Sequence, residues 1–507
     1  MARSPFTKDA FVLLTACLSF AYAEAQDWLG YHSSNYAGIH AVNYNPAFLA
    51  GNNYKLDVSL IAGHIQVQND FVGLDNQVIF EPTRTGADPD FNRQYLRFSD
   101  HTQFYSAFTN LHLQAPSVLW QFSPRDAIGF APALRVFMNA DHLDRRLARL
   151  AIEGLDYPPY WNYNQDNLYM RIDAHAYAEY ALSYARTLYN DEGLVIKAGI
   201  TGKLLQGISA AEFQGTGFTH SVQNMDTIDI RRFSGELYMS EGVANQSPGF
   251  RFEGGPSFGL DVGMIFEIHP GNYRRKGLVS QRNYARKKGL LTEDETPYTA
   301  RFGFSVSDIG SISYTTDPRS AIFYINRDSI PLDEFNSIGS ASDLGDFLET
   351  NYQDINSNDS SFSMLLPTTL RFFGDLRFIH NVGLHAGMQI GLFGGRSTRF
   401  KNAQLTQFNI TPRWEIKYFG AYMPFTIDEM GLFNWGISLR AGPLVIGTGD
   451  LLSNLAKGYV MGSSFHFGLR WVFPIINAPA RNPGCNPYDR SYKGATFIRK
   501  KGAKKRR

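Results

Sequence analysis

Several windows of the chain alternate apolar and polar residues with a period of two, the pattern of strands whose two faces meet different surroundings. Phe258, Leu260, Val262, Met264, Phe266 and Ile268 share one face, against Gly259, Asp261, Gly263 and Glu267 on the other. Val382, Leu384, Ala386, Met388, Ile390 and Leu392 likewise oppose Gly383, His385, Gly387, Gln389 and Gly391. Phe408, Ile410, Trp414, Ile416, Tyr418 and Tyr422 oppose Arg413, Glu415 and Lys417. Near the end, Phe465, Phe467, Leu469, Trp471 and Phe473 oppose Ser464, His466, Gly468 and Arg470. Weaker alternation recurs at 56–60, 128–136, 172–184, 196–204, 302–306 and 435–439.

Many of these windows run for about 10 to 16 residues, which fits tilted transmembrane strands of about 9 to 11 with extensions better than globular strands of about 5 to 6. Compact polar turns at 123–126, 190–193 and 378–381 contrast with long polar inserts at 139–167, 207–255 and 325–360. The pattern predicts an all-β fold: a transmembrane antiparallel up-and-down β-barrel of about 14 strands over residues 54–473, with short periplasmic turns and long outer loops. Arg145–Glu153 reads as a helix in an outer loop. Pro474 ends the last ladder, placing Phe473 at the periplasmic rim.

Composition agrees. The chain is 44% hydrophobic and 14% aromatic with 46 Gly, yet its mean hydropathy is -0.25, so apolar residues are interleaved with polar ones. No run of about 18 uncharged apolar residues follows residue 25, so a membrane would be crossed by strands. A formal charge of +1 offers no global field to draw nucleic acid.

Arg3 and Lys8 precede an apolar stretch, and Ala23-Glu24-Ala25 supplies a small-x-small cleavage site. Residues 1–25 therefore read as a signal peptide and Gln26 as the start of the mature chain. Leu14-Thr15-Ala16-Cys17 resembles a lipobox, but the apolar run continues past Cys17, and a barrel needs no extra anchor. Cys485 is the other of the two cysteines, so no disulfide framework or cysteine metal site is expected.

No enzyme emerges, and no cofactor is predicted. Gly255-Pro256-Ser257-Phe258-Gly259 matches a nucleophile elbow, which needs a strand-turn-helix, yet runs straight into an alternating strand. Asp354–Asp359 begins like a calcium loop, but Asp359 replaces the glycine and Leu365 the bidentate glutamate. His175 and Glu179 share a strand face, and His385 and His466 fall on lumen-facing sets; zinc needs three or four converging ligands.

Residues 26–53 form an N-terminal segment before the first strand, and within it Asn45-Pro46-Ala47 resembles the hatch motif of FadL-type long-chain fatty-acid transporters. Phe122–Gly129, Gly259–Gly263, Ser307–Gly310, Leu365–Leu370 and Gly436–Leu444 resemble the Bacteroidetes branch of that family, which includes the PorV-type proteins of type 9 secretion. The resemblance implies a FadL-like barrel in the Gram-negative outer membrane, although residues 26–53 are short for a full plugging hatch. Two functions follow from it: a non-enzymatic barrel transporting or accommodating hydrophobic small molecules, or a membrane-embedded scaffold in secretion or envelope assembly. Outer-membrane lipid is the partner common to both.

Two basic segments suit docking of acidic periplasmic partners: Arg274, Arg275 and Lys276 with Arg286, Lys287 and Lys288, and the tail 474–507, expected to be disordered and ending in Arg499, Lys500, Lys501, Lys504, Lys505, Arg506 and Arg507. Clustered cations gain about 1 kcal/mol each near anionic headgroups, fading within a Debye length. Deleting residues 499–507 is expected to leave a folded, heat-resistant barrel with a weakened salt-sensitive association, measured as partner recovery at low and high salt.

Overall fold

In the computed structural model, residues 28–474 are described, except 53, 78–94, 101, 154, 156–157, 191–192, 245–250, 270–297, 339–340, 352–354, 357–359, 380 and 393–399. Both basic segments, 274–288 and 499–507, lie outside the described residues.

Fourteen strand positions close into one antiparallel barrel. β1 is Tyr54–Asn69, and β2 is Phe104–Gln114 continued by Ser117–Trp120; β3 (Asp126–Asp144), β4 (Gln165–Asn190) and β5 (Leu194–Val222) follow. β6 (Glu253–Ile268), β7 (Ala300–Thr315), β8 (Thr369–Ile379), β9 (Val382–Gly391) and β10 (Gln407–Glu415) continue the wall. β11 comprises Phe419–Tyr422 and Phe425–Asp428, β12 comprises Phe433–Trp435 and Ile437–Ala441, and β13 (Leu444–Thr448) and β14 (Gly462–Pro474) complete it. The seam closes where β1 pairs antiparallel with β14, His64 opposite His466 and Leu56 opposite Phe473. Closure leaves no open edge in the barrel wall, where hydrocarbon would leave it unsatisfied. Phe473 thus pairs with Leu56 near the start of β1.

The alternation resolves into two faces. Outward residues such as Leu182, Ile200, Phe304, Met388 and Trp471 are exposed, while most of their strand neighbours are buried. Exposed Trp120, Tyr184, Phe378, Trp414, Tyr418 and Trp471 cluster at the short-turn ends, an interfacial aromatic girdle. A closed barrel with this apolar belt is an outer-membrane protein. No described helix is long and apolar enough to cross a membrane.

Most short turns lie at one end and most long connections at the other, as expected for such barrels; the connection from Ile268 to Ala300 is an exception, because Ile268 pairs with Leu194 beside a short turn. At the long-connection end β4 and β5, of 26 and 29 residues, outrun the belt. The upper part of β5 pairs with a strand at Thr227–Met239, which pairs in turn with Ala321–Pro331. Helices Arg145–Glu153 and Ala341–Asn351 help build a separate core with this sheet, including Leu150, Phe218, Phe233, Phe323, Phe347 and Leu348. The helix expected at Arg145–Glu153 is present, but its inclusion in a packed head was not legible.

One fault in the alternation shapes the lumen. In β7 both Ser307 and Asp308 are buried, Asp308 has φ 58°, and the register against β6 slips between Leu260 and Val262. This bulge inverts the phase of β7: Arg301, Gly303 and Ser305 face inward before it, Ile312 and Tyr314 after it. It is a β-bulge re-aiming side chains.

The belt generates a prediction. Ile200→Arg, on the lipid face, should destabilise the barrel by about 2 to 4 kcal/mol, whereas Thr216→Arg in the head should change stability by less than about 0.5 kcal/mol. Denaturant titration in lipid vesicles measures both.

Candidate functional site

The described N-terminal residues, Trp28 to Asn52, occupy the short-turn half of the lumen, and nearly all are buried. Sequence length made this segment look short for a hatch. Two short 3-10 helices, Gly38–Ala41 and Pro46–Leu49, fold it compactly enough to touch walls on opposite sides.

Asn45 caps the second of these helices. Its backbone is extended, its side-chain oxygen accepts from the Ala47 N–H at 2.9 Å, and Pro46 occupies the first helical position, where a missing N–H costs nothing. The same amide donates outward to the Phe304 carbonyl at 2.9 Å and the Met264 carbonyl at 3.3 Å, on β7 and β6. Ser305 donates to the Tyr44 carbonyl at 2.7 Å. Ala47 is fully buried in a cluster with Tyr44, Ile265 and Phe373. Two lumen glycines permit this seat: a Cβ on Gly199 would overlap the backbone of Pro46 and Ala47, and one on Gly263 would overlap the Asn45 side chain. Sequence placed Asn45, Pro46 and Ala47 as a motif; the structure shows what it grips.

The first half of the hatch is held by charges. Arg470 of β14 bonds Asp57 of β1 at 2.9 Å, Asp57 accepts from the Ile39 N–H at 3.0 Å, and Arg470 also donates to the Tyr36 carbonyl. Gly38, at φ 58°, is required here, because a side chain would overlap the Asp57 carboxylate. On the opposite wall Arg301 and Arg413 donate to the Ser33 carbonyl at 2.6 and 2.8 Å. Both contact Asp375, at 2.5 and 3.4 Å, which also bonds His385 at 2.8 Å, and Arg413 lies 3.7 Å from a second carboxylate, Glu415. Asn35 donates to Glu415 at 2.9 Å and accepts from Tyr298, and Ser34 also bonds Glu415. These ions are buried, which is tolerable only because each is paired.

Further from the short-turn rim lies a second network. Arg135 contacts Glu179 at 3.2 Å and Asp308 at 2.6 Å; Lys203 contacts Asp308 at 2.6, Asp261 at 2.9 and Glu179 at 3.6 Å. The β7 bulge delivers Asp308 to it, and the Asp308 N–H donates to Asp261 at 2.7 Å. Beyond it several inward residues are apolar, and Phe108, Phe137, Tyr177, Leu205, Tyr314 and Met364 belong to one buried cluster, past which Asn139, Asp173 and Arg171 return the faces of β3 and β4 to polar residues.

The chain matches the model of a family of unknown function, DUF5723, over residues 46–449. The chain belongs to that family. No curated protein matches it. Among solved structures the chain resembles a Pseudomonas aeruginosa FadL homologue at 9% identity and TM-score 0.40, covering 89% of this chain and 98% of that one. It also resembles the deltaS2S3 mutant of the TodX monoaromatic hydrocarbon channel, at 8% identity and TM-score 0.37, covering 86% and 94%. The translocator domain of the autotransporter NalP from Neisseria meningitidis is similar at 7% identity and TM-score 0.25, covering 83% and 90%.

The remaining candidates fall where the faces place them. Glu179 joins the second network, His175 packs at 4.9 Å from Tyr177, His385 bonds Asp375, and His466 bonds the Ser438 hydroxyl at 2.9 Å. They do not converge, and no group of three or more metal-ligating side chains occurs among the described residues. Ser257 lies in β6, within a continuous strand. Arg135, Lys203, Arg301 and Asp375 were not singled out from sequence. Their signal was present as charges on alternating faces, but partnership requires the register between distant strands.

Gly199→Ala is expected to unseat the Asn45-Pro46-Ala47 turn, cost about 1 to 3 kcal/mol and raise protease cleavage within residues 26–53. Gly202→Ala, where a Cβ meets nothing within 4 Å, should do neither. Heat-modified gel mobility and limited proteolysis of the folded protein compare the two.

Proposed function

We propose that this barrel is a non-enzymatic outer-membrane protein that transports or accommodates hydrophobic small molecules. The observation that carries the reading is the apolar, aromatic layer inside the lumen, on the side of the second ion network away from the rim that β1 and β14 share. A barrel serving only polar solutes would keep that layer wet. Here the wall exchanges polar for apolar side chains over one stretch, so a hydrophobic molecule would find favourable burial there. The hatch beneath it is held by hydrogen bonds and ion pairs, interactions that can exchange partners without unfolding the wall.

A second reading is supported by the head at the long-connection end. A barrel needs no separate core beyond the bilayer, yet the long β4 and β5 carry one, built with two further strands and two helices. Such a platform suits a scaffold for secretion or envelope assembly, and the basic segments would serve it from the periplasm. Stoichiometric partners recovered after gentle detergent extraction would favour it.

The transport reading is tested by binding of the hydrophobic fluorophore N-phenyl-1-naphthylamine to purified protein. The wild type should bind it, and Leu205→Gln with Met364→Gln should weaken binding about tenfold while heat-modified mobility stays normal. Unchanged binding in the double variant would overturn the reading.

A further inference from the structure

The ion network is also a floor, and its charge sum bears on which molecules can rest above it. Two cations, Arg135 and Lys203, are surrounded by three carboxylates, Glu179, Asp261 and Asp308, so formal charges leave no positive excess. Lys203 has all three carboxylates within 3.6 Å. Arg371 of β8, on the neighbouring wall, donates to the neutral Ser307 and Gln389 and lies 5.8 Å over the Tyr44 ring of the hatch; counting it brings the sum to three cations against three carboxylates. An anionic head arriving from the apolar layer would thus meet a surface with no net positive charge. Burying it unpaired is among the costliest steps in protein chemistry.

The floor is not inert, however. On adjoining strands, buried Tyr177 leaves its hydroxyl unbonded, buried His175 leaves both ring nitrogens unbonded, and Arg135 leaves its Nε unbonded among the described residues. These groups border the apolar layer. Tyr177 belongs to it, His175 lies 6.1 Å from Phe137 and 6.4 Å from Tyr314, and the Arg135 guanidinium sits 5.0 Å over the Phe137 ring. Arg135 and Tyr177 are direct partners across the β3–β4 ladder, and His175 lies opposite Phe137. Buried polar atoms without partners cost stability, and a small neutral group able both to donate and to accept would satisfy them.

We infer that the Arg135–His175–Tyr177 border of the apolar layer selects hydrophobic molecules with an uncharged hydrogen-bonding head, such as an alcohol, over the corresponding carboxylates. The inference rests on the transport reading and names the substrate class of the same site.

Competition against N-phenyl-1-naphthylamine, with purified full-length protein at neutral pH, tests it. Octanol should displace the fluorophore about tenfold more effectively than octanoate, after correction for their partitioning into detergent. Asp261→Asn, which removes one negative charge and keeps an oxygen acceptor, should narrow that gap by improving octanoate alone. Tyr177→Phe, which keeps the ring, should narrow it by weakening octanol about fivefold. Equal or stronger displacement by octanoate in the wild type would overturn the headgroup inference and leave the transport reading standing. If the wild type binds no fluorophore at all, both fall. Because the wild-type comparison needs no substitution, a misfolded variant cannot shield the inference.

Discussion

A carboxylate such as Asp375, fully buried inside a tube that is itself immersed in hydrocarbon, has no route to bulk water and must find its counter-charge within the protein. It finds Arg301, Arg413 and His385 on three neighbouring strands. The demand for pairing propagates. Arg301 and Arg413 have donors left over, and those donors reach the Ser33 carbonyl of the hatch. Wall and hatch are therefore solutions to one electrostatic problem, and neither could be replaced alone without leaving a buried ion exposed to an apolar medium.

The same logic explains the fault in β7. An uninterrupted alternation would carry Arg301, Gly303, Ser305 and Ser307 inward and then present Ile309 to the lumen. The bulge places Asp308 inward instead, between Arg135 and Lys203, and then hands Ile312 and Tyr314 to the apolar layer. One residue of irregular backbone separates a charged zone from an apolar one.

The faces of the strands were legible because a period of two is all that a two-sided wall requires, and Gly263, His385, Arg413, Glu415 and Arg470 all lie on the side their windows assign. The Asn45 motif was legible as a tripeptide, though not its donors to Met264 and Phe304, which come from strands more than 200 residues away. Register was the missing quantity throughout. Lys203 and Asp308 are 105 positions apart and read individually as ordinary polar residues. The head was hidden for a different reason: two of its strands are continuations of β4 and β5 past a register shift, and the other two, Thr227–Met239 and Ala321–Pro331, fall largely in stretches that read as polar inserts. The basic segments were read from composition and lie outside the described residues.

The position of Arg470 and Asp57 has a consequence for how the molecule is made. They face each other across the seam, 413 residues apart in sequence, and together they hold Tyr36 and Ile39 of the hatch. The last ladder that synthesis makes available thus completes its ion pair on a segment that emerged near the beginning. Contacts of such separation form late, after the loop-closure entropy of nearly the whole chain has been met. Sealing the cylinder and seating its occupant are then coupled: a wall that zipped shut around an empty interior would still pair Arg470 with Asp57, but would leave both without the Tyr36 carbonyl and the Ile39 N–H that complete their bonding.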